Sequence, residues 1–174
     1  MFFYIFLLFI VLQRLAELVY AKRNEKYLLL RGAVEYDKKG YKLIVIMHTC
    51  FFISLILEKI YFKRELSEYW IIFFIIFAAA QMLRYMAIVS LGKFWNTKII
   101  VLSGSSLIKK GPYSFLKHPN YIAVITEILV IPLIFSCYIT CIIFSALNIF
   151  VLIRRIKIEE AALGIPERSE GSYR

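Results

Sequence analysis

Polar punctuation is scarce in this sequence. It holds two histidines, three cysteines, four prolines and seven glycines, and its 12 acids face 22 lysines and arginines. Cys50, Cys137 and Cys141 have no paired spacing, no histidine-rich neighbourhood and no secreted context, so neither a disulfide framework nor a zinc site organises the chain. All three fall inside apolar runs and are read as buried packing thiols. No basic residue precedes the apolar stretch Phe2 to Leu12, and no small-x-small cleavage site follows it. That stretch therefore reads as a first membrane helix and not as a cleaved signal peptide. No internal repeat and no low-complexity segment stands out.

What is abundant is apolar surface. Of 174 residues, 61% are hydrophobic and 17% aromatic. A soluble domain is nearer half apolar, and at this length it lacks the interior to hide so much Phe, Ile and Leu. The hydrophobic residues are blocked into long runs, which is the membrane signature. Three spans read as Phe2 to Ala21, Tyr41 to Leu57 and Tyr69 to Leu91. From Tyr121 to Ile153, Glu127 is the one charged residue. A single helix of that length would reach about 50 Å, too far for one crossing of a core about 30 Å thick. Pro132 and Ser136-Cys137 permit a break near 135–138. The expected fold is all-α and polytopic, with about five transmembrane helices, the last two a hairpin. One domain covers 1–163, and 164–174 form a polar tail.

A formal net charge of +10 could signal nucleic acid or anionic lipid as partner. Its distribution points to topology instead. Lys22, Arg23, Lys26, Arg31, Lys38, Lys39 and Lys42 fall between the first two spans. Lys93, Lys98, Lys109, Lys110 and Lys117 fall in the third loop, and Arg154, Arg155, Lys157, Arg168 and Arg174 after the last span. The opposite side has Lys59, Lys63 and Arg64. The positive-inside rule puts the first loop, the third loop and the tail in the cytoplasm and the N-terminus outside. No nucleic-acid partner is expected.

With that orientation the unusual polar residues gather near the cytoplasmic face. Arg14 and Glu17 are neighbours on the first helix, either a self-neutralising pair or part of a site. Arg84 lies near the end of the third span. Glu127 has no partner on its own helix and is read as lining a site, because intramembrane charges face bundle interiors or cavities. His48 is read as bonding across helices.

The third loop carries Gly111-Pro112-Tyr113 and then His118-Pro119-Asn120-Tyr121. Pro119 suits the first turn of a helix. The free N–H groups of that turn, beside Lys117 and His118, attract an anionic group such as a carboxylate. A plain Pro-flanked helix entry with a basic anchor is the alternative. After the last span, Arg155 and Glu159 are four apart on a continued helix. They are either an exposed ion pair worth under about 1 kcal/mol or the acidic complement of the loop. A zwitterionic, cationic cofactor would need both.

Gly111-Pro112-Tyr113, His118-Pro119-Asn120-Tyr121, Arg155 and Glu159-Glu160-x-x-Leu163, in that order and separated by one helical hairpin, resemble the isoprenylcysteine carboxyl methyltransferase family. Gln13 to Leu18, Arg23-Asn24 and Gly32-Ala33-x-Glu35 look like its short bacterial branch. The resemblance implies S-adenosyl-L-methionine as methyl donor. It carries cofactor contacts over to Ser105, Ser106, Leu107, Ile108, Tyr113, His118, Pro119, Asn120, Tyr121 and Glu159, and the catalytic, acceptor-holding role to Arg155. Lys117 stands where the family commonly has arginine, and an ammonium cannot reproduce a bidentate guanidinium contact. The implied reaction is displacement at a sulfonium methyl, with a carboxylate or hydroxyl of an amphipathic, lipid-like acceptor entering from the lipid. A bacterial cytoplasmic membrane, or the endoplasmic reticulum in a eukaryote, would house it, with membrane lipids as surroundings. Membrane NADPH-dependent sterol-type reductases share a His-Pro and a late acidic pair but are usually longer. A non-enzymatic membrane scaffold is the remaining rival.

Overall fold

The computed structural model describes residues 1–105 and 107–164. In chain order it has a helix α1 (Phe2–Leu29), a strand β1 (Val34–Tyr36), helices α2 (Lys38–Tyr61) and α3 (Trp70–Leu91), a strand β2 (Ile99–Val101), and helices α4 (Pro119–Ile134) and α5 (Tyr138–Ala162). Short 3₁₀ turns occupy Gly92–Phe94 and Gly111–Ser114. The helical, polytopic expectation holds, with one addition. β1 and β2 pair antiparallel, Glu35 opposite Ile100, and tie the first loop to the third. Strands of three residues are too short for an alternating pattern to announce them.

α1 runs past Ala21 to Leu29, since no glycine or proline interrupts it before Gly32, whose φ of 85° ends the run. Leu28 is 1% exposed, so the extension is anchored by packing. Among the described residues four helices, α1, α2, α3 and α5, are long and apolar enough to cross a membrane. α4 has 16 residues and so measures about 24 Å. It is nevertheless the most enclosed helix, packed between α3 and α5, while α2 packs on α5. The expected break falls at Phe135–Cys137, where Ser136 adopts φ 55° and the Cys137 N–H returns to the Pro132 carbonyl at 2.9 Å.

Apolar packing fills the end of the bundle that holds the hairpin turn. The Phe135 ring lies 5.9, 4.8 and 5.6 Å from those of Phe2, Phe3 and Phe6. Phe51, Leu55, Phe77, Ile131 and Phe144 extend this core along the bundle. Outward faces carry exposed residues such as Ile75, Ile142 and Phe150, a belt that suits acyl chains. Cys137 and Cys141 are buried as expected, but Cys50 is exposed, because it lies on the outward face of α2 opposite the buried Phe51 and Leu55 stripe. At the turn end, Glu58 of α2 is buried and accepts the N–H groups of Ile139 (3.2 Å) and Thr140 (2.7 Å), capping α5 from another helix.

Candidate active site

Two turns bring the loop motifs to the start of α4. Gly111 has φ 54° and abuts Ser90 of α3, where a side chain would collide, and Pro112 is buried beside it. This packs the turn that carries Tyr113 against α3, within reach of the charge of Glu159. Burial, and then the charge of Glu159, push the Tyr113 phenol up, so it stays protonated through the neutral range. Pro119 opens α4 as anticipated, with His118 at the cap position making no side-chain cap. The His118 ring instead stacks on Tyr121, centroids 5.2 Å apart and planes 10° apart. Its Nε2 donates to Glu160 at 3.2 Å, and Lys117 Nζ lies 3.6 Å from the same carboxylate.

Tyr121 is the centre of the arrangement. Its hydroxyl donates to Glu159 and accepts from Arg155 Nε at 2.9 Å. Arg155, 7% exposed, also donates through Nη2 to the Thr97 carbonyl at 2.6 Å. Its guanidinium carbon lies 5.8 Å from the Tyr121 ring centroid. Arg155 and Glu159 are therefore not a simple exposed pair. They meet through a phenol on α4, and a loop carbonyl fixes the guanidinium from the other side.

The intramembrane charges form a second, linked group. Glu127, 3% exposed, accepts Arg84 Nε and Nη2, each at 2.8 Å, and also pairs with Arg14. Gln81 Nε2 adds a bond to Glu127 at 2.9 Å, and Arg14 Nη1 reaches Glu17 at 2.6 Å. Two arginines thus balance two glutamates. Glu127, read as lining a site, is neutralised by partners on α1 and α3. Arg84 Nη1 then donates to Asn120 Oδ1 at 3.2 Å, which ties this group to the first turn of α4. His48 bonds not across helices but to the Ile44 carbonyl one turn back, at 2.9 Å.

The sequence-derived site residues divide accordingly. His118, Tyr121, Arg155 and Glu159 come together, with Tyr113 near Glu159 and Pro119 opening the helix beneath them. Asn120 turns toward Arg84. Ser105 bonds to the Leu102 carbonyl of its own loop at 2.7 Å. Leu107 is exposed and Ile108 half-buried, and no hydrogen bond joins either to the Tyr121 group among the described residues. Ser106 lies outside the described residues. Thr97 was not foreseen, since any residue offers a carbonyl. Asn24 was quoted only as part of a motif; its side chain donates to the Gly92 and Trp95 carbonyls at 3.0 and 2.8 Å, fixing the loop that carries Thr97. On that loop Lys98 joins Glu25 (2.6 Å) and Glu35 (3.4 Å).

The family model described as the isoprenylcysteine carboxyl methyltransferase (ICMT) family matches residues 70–165, from α3 past the end of α5 and more than half of the chain. The chain belongs to this family. It is a multi-pass membrane protein of a methyltransferase family, and the matched region contains every side chain of the Tyr121 group. It is 42% identical over 161 residues to the uncharacterized protein YpbQ of Bacillus subtilis (strain 168), covering 92% of this chain and 96% of that one. An uncharacterized protein of Haemophilus influenzae (strain ATCC 51907 / DSM 11121 / KW20 / Rd) is 29% identical over 146 residues, 81% of this chain and 83% of its own. No solved structure matches the chain.

Proposed function

We propose that this family member is an O-methyltransferase that moves a methyl group from S-adenosyl-L-methionine to a carboxylate or hydroxyl of an amphipathic, lipid-like acceptor. The observation that carries the reading is the union of Arg155 and Glu159 through the Tyr121 hydroxyl, a cation and an anion held within one turn of each other at a helix start. These residues fit the donor. Glu159 keeps lone pairs beyond the one that Tyr121 uses, enough for an ammonium or ribose hydroxyl. His118, Tyr121 and Tyr113 supply aromatic surface beside that carboxylate. Lys117 and the first N–H groups of α4 suit a carboxylate.

When bound, the donor supplies an electrophilic methyl on a sulfonium sulfur. The protein's part is alignment and charge placement. Glu159 anchors the donor. Arg155, held on its far side by Thr97, orients the acceptor oxygen. Burial beneath α4 limits water, which would compete with that oxygen. The acceptor enters from the lipid, the donor from the cytoplasm, with the N-terminus outside and a bacterial cytoplasmic membrane as the setting; reporters fused at the two ends test this orientation.

Calorimetry on purified protein in nanodiscs tests the cofactor assignment. S-adenosylhomocysteine should bind and NADPH should not. Binding of NADPH alone would replace the reading with a reductase, and binding of neither would leave a scaffold.

A further inference from the structure

α1 has 28 residues and so measures about 42 Å, against a bilayer core of about 30 Å. Its last two turns extend beyond that thickness, at the end of the bundle that holds the Tyr121 group. Side chains tie these turns to the segment after α3. The buried Asn24 donates to the Gly92 and Trp95 carbonyls, and Asn96 Nδ2 returns to the Ala21 carbonyl at 3.2 Å. Asn96 Oδ1 accepts the Lys98 N–H at 3.0 Å. Lys98 Nζ in turn joins Glu25 of α1 and Glu35 of β1.

Thr97 sits in the middle of this web. Residues 95–98 belong to no helix or strand, so no ladder fixes their carbonyls. The bonds that lead back to α1 fall on both sides of Thr97, and the Thr97 carbonyl accepts Arg155 Nη2 at 2.6 Å. Tyr121 takes Nε, which leaves Nη1 without a partner among the described residues. Asn24, Glu25 and Glu35 all lie outside residues 70–165, the stretch that the family match covers.

We propose that the end of α1 is a brace for Arg155, with Asn24 and Lys98 as positioning residues that act through the Thr97 carbonyl. The brace presents the Nη1 edge of the guanidinium to the acceptor oxygen, a role that rests on the methyl-transfer reading. Without it, Tyr121 alone tethers the guanidinium, which can then swing about a single hydrogen bond.

Nitrogen-15 arginine spectra of the protein in nanodiscs read the brace directly, the Arg155 signals being those lost in Arg155→Lys. Asn24→Ala and Lys98→Met should each speed hydrogen exchange at the Arg155 guanidinium by about tenfold, the scale of one lost hydrogen bond. Lys98→Arg, which can still meet both glutamates, should restore the parental rate. Arg84, bonded to Glu127, should exchange as in the parent throughout, which separates lost positioning from general loosening. Lys98 is only half-buried, so Lys98→Met carries the test even where Asn24→Ala folds poorly. Hexadecanoate, as a carboxylate probe, should shift the Arg155 signals saturably in the parent and about tenfold more weakly in Lys98→Met. Parental Arg155 exchange in both variants, or an equal gain at Arg84 in Lys98→Met, would overturn the proposal. No saturable shift with hexadecanoate in the parent would reject the Nη1 edge. S-adenosylhomocysteine affinity, measured on the same samples, should be unchanged, since Glu159 keeps its bond to Tyr121. Where the parent binds no S-adenosylhomocysteine, faster Arg155 exchange in the variants keeps the brace and rejects methyl transfer. Bound S-adenosylhomocysteine with parental exchange rejects the brace alone.

Discussion

Arg155 Nε lies 2.9 Å from the Tyr121 hydroxyl oxygen, and that hydroxyl passes its proton toward Glu159. One phenol therefore sets the positions of both charged groups. Arg155→Ala should leave S-adenosylhomocysteine affinity nearly intact while turnover falls on the order of a hundredfold, the cost of a misplaced reacting group. Arg155→Lys should recover only part, because a point charge cannot contact Tyr121 and Thr97 together as a planar fork does. Tyr121→Phe should lower both affinity and turnover, since it frees both residues. Methyl transfer and ligand binding measured on the same purified variants check all three, and full turnover by Arg155→Ala would remove its assigned role.

Glu159→Ala should weaken S-adenosylhomocysteine binding by about 1.5–3 kcal/mol, the range for hydrogen bonds to charged groups. Glu160 meets His118 and the largely exposed Lys117, so Glu160→Ala should cost under about 1 kcal/mol. Calorimetric titration separates the two. Equal losses would mean that the acids act as one patch.

Breaking the buried charge group should unbalance it. Glu127→Gln leaves Arg14 and Arg84 with Glu17 alone, and should destabilise the fold by about 3–5 kcal/mol. Adding Arg84→Met restores one arginine to one glutamate and should return part of that loss. Detergent-driven unfolding followed by circular dichroism provides the comparison. A double variant less stable than Glu127→Gln would contradict the balance argument.

The Lys98 ammonium is held above its ordinary value, first by its hydrogen bond to Glu25, which outweighs the opposing cost of burial, and then by the charges of Glu25 and Glu35. A raised folded value stabilises below the unfolded one and is lost as pH rises through the folded one. The stability advantage of the parent over Lys98→Met should thus be constant through neutral pH. It should shrink only above about 10.4, the ordinary lysine value. Thermal unfolding of both proteins across an alkaline series measures it, and an advantage that fades near pH 7 would refute the pairing.

The α4–α5 hairpin was legible because Tyr121 to Ile153 is too long for one crossing and Pro132 marks a place to stop. The helix entry at Pro119 and the one-turn spacing of Arg155 and Glu159 were legible for the same local reason. Contacts across the chain were not. Nothing in the pattern around Glu127 reveals Arg14 and Arg84 as its partners, and nothing around Glu58 shows that it serves α5. Cys50 was misread because an apolar run has a lipid-facing side as well as a buried one. His48 satisfied itself one turn back, an outcome that depends on its rotamer rather than on its neighbours in sequence.

Glu58 also implies an order of assembly. Its carboxylate takes up the N–H groups of Ile139 and Thr140, which lie 81 and 82 residues further along the chain. During synthesis α2 is inserted first, with a buried acid that Arg64, just beyond its end, meets at 3.4 Å and whose remaining capacity α5 later takes up. When the final hairpin arrives, its leading turn meets a receptor already in place at that end of the bundle. The last two helices are thus caught at their apex by a segment made long before them, and misinsertion of α2 would leave the hairpin without its landing point.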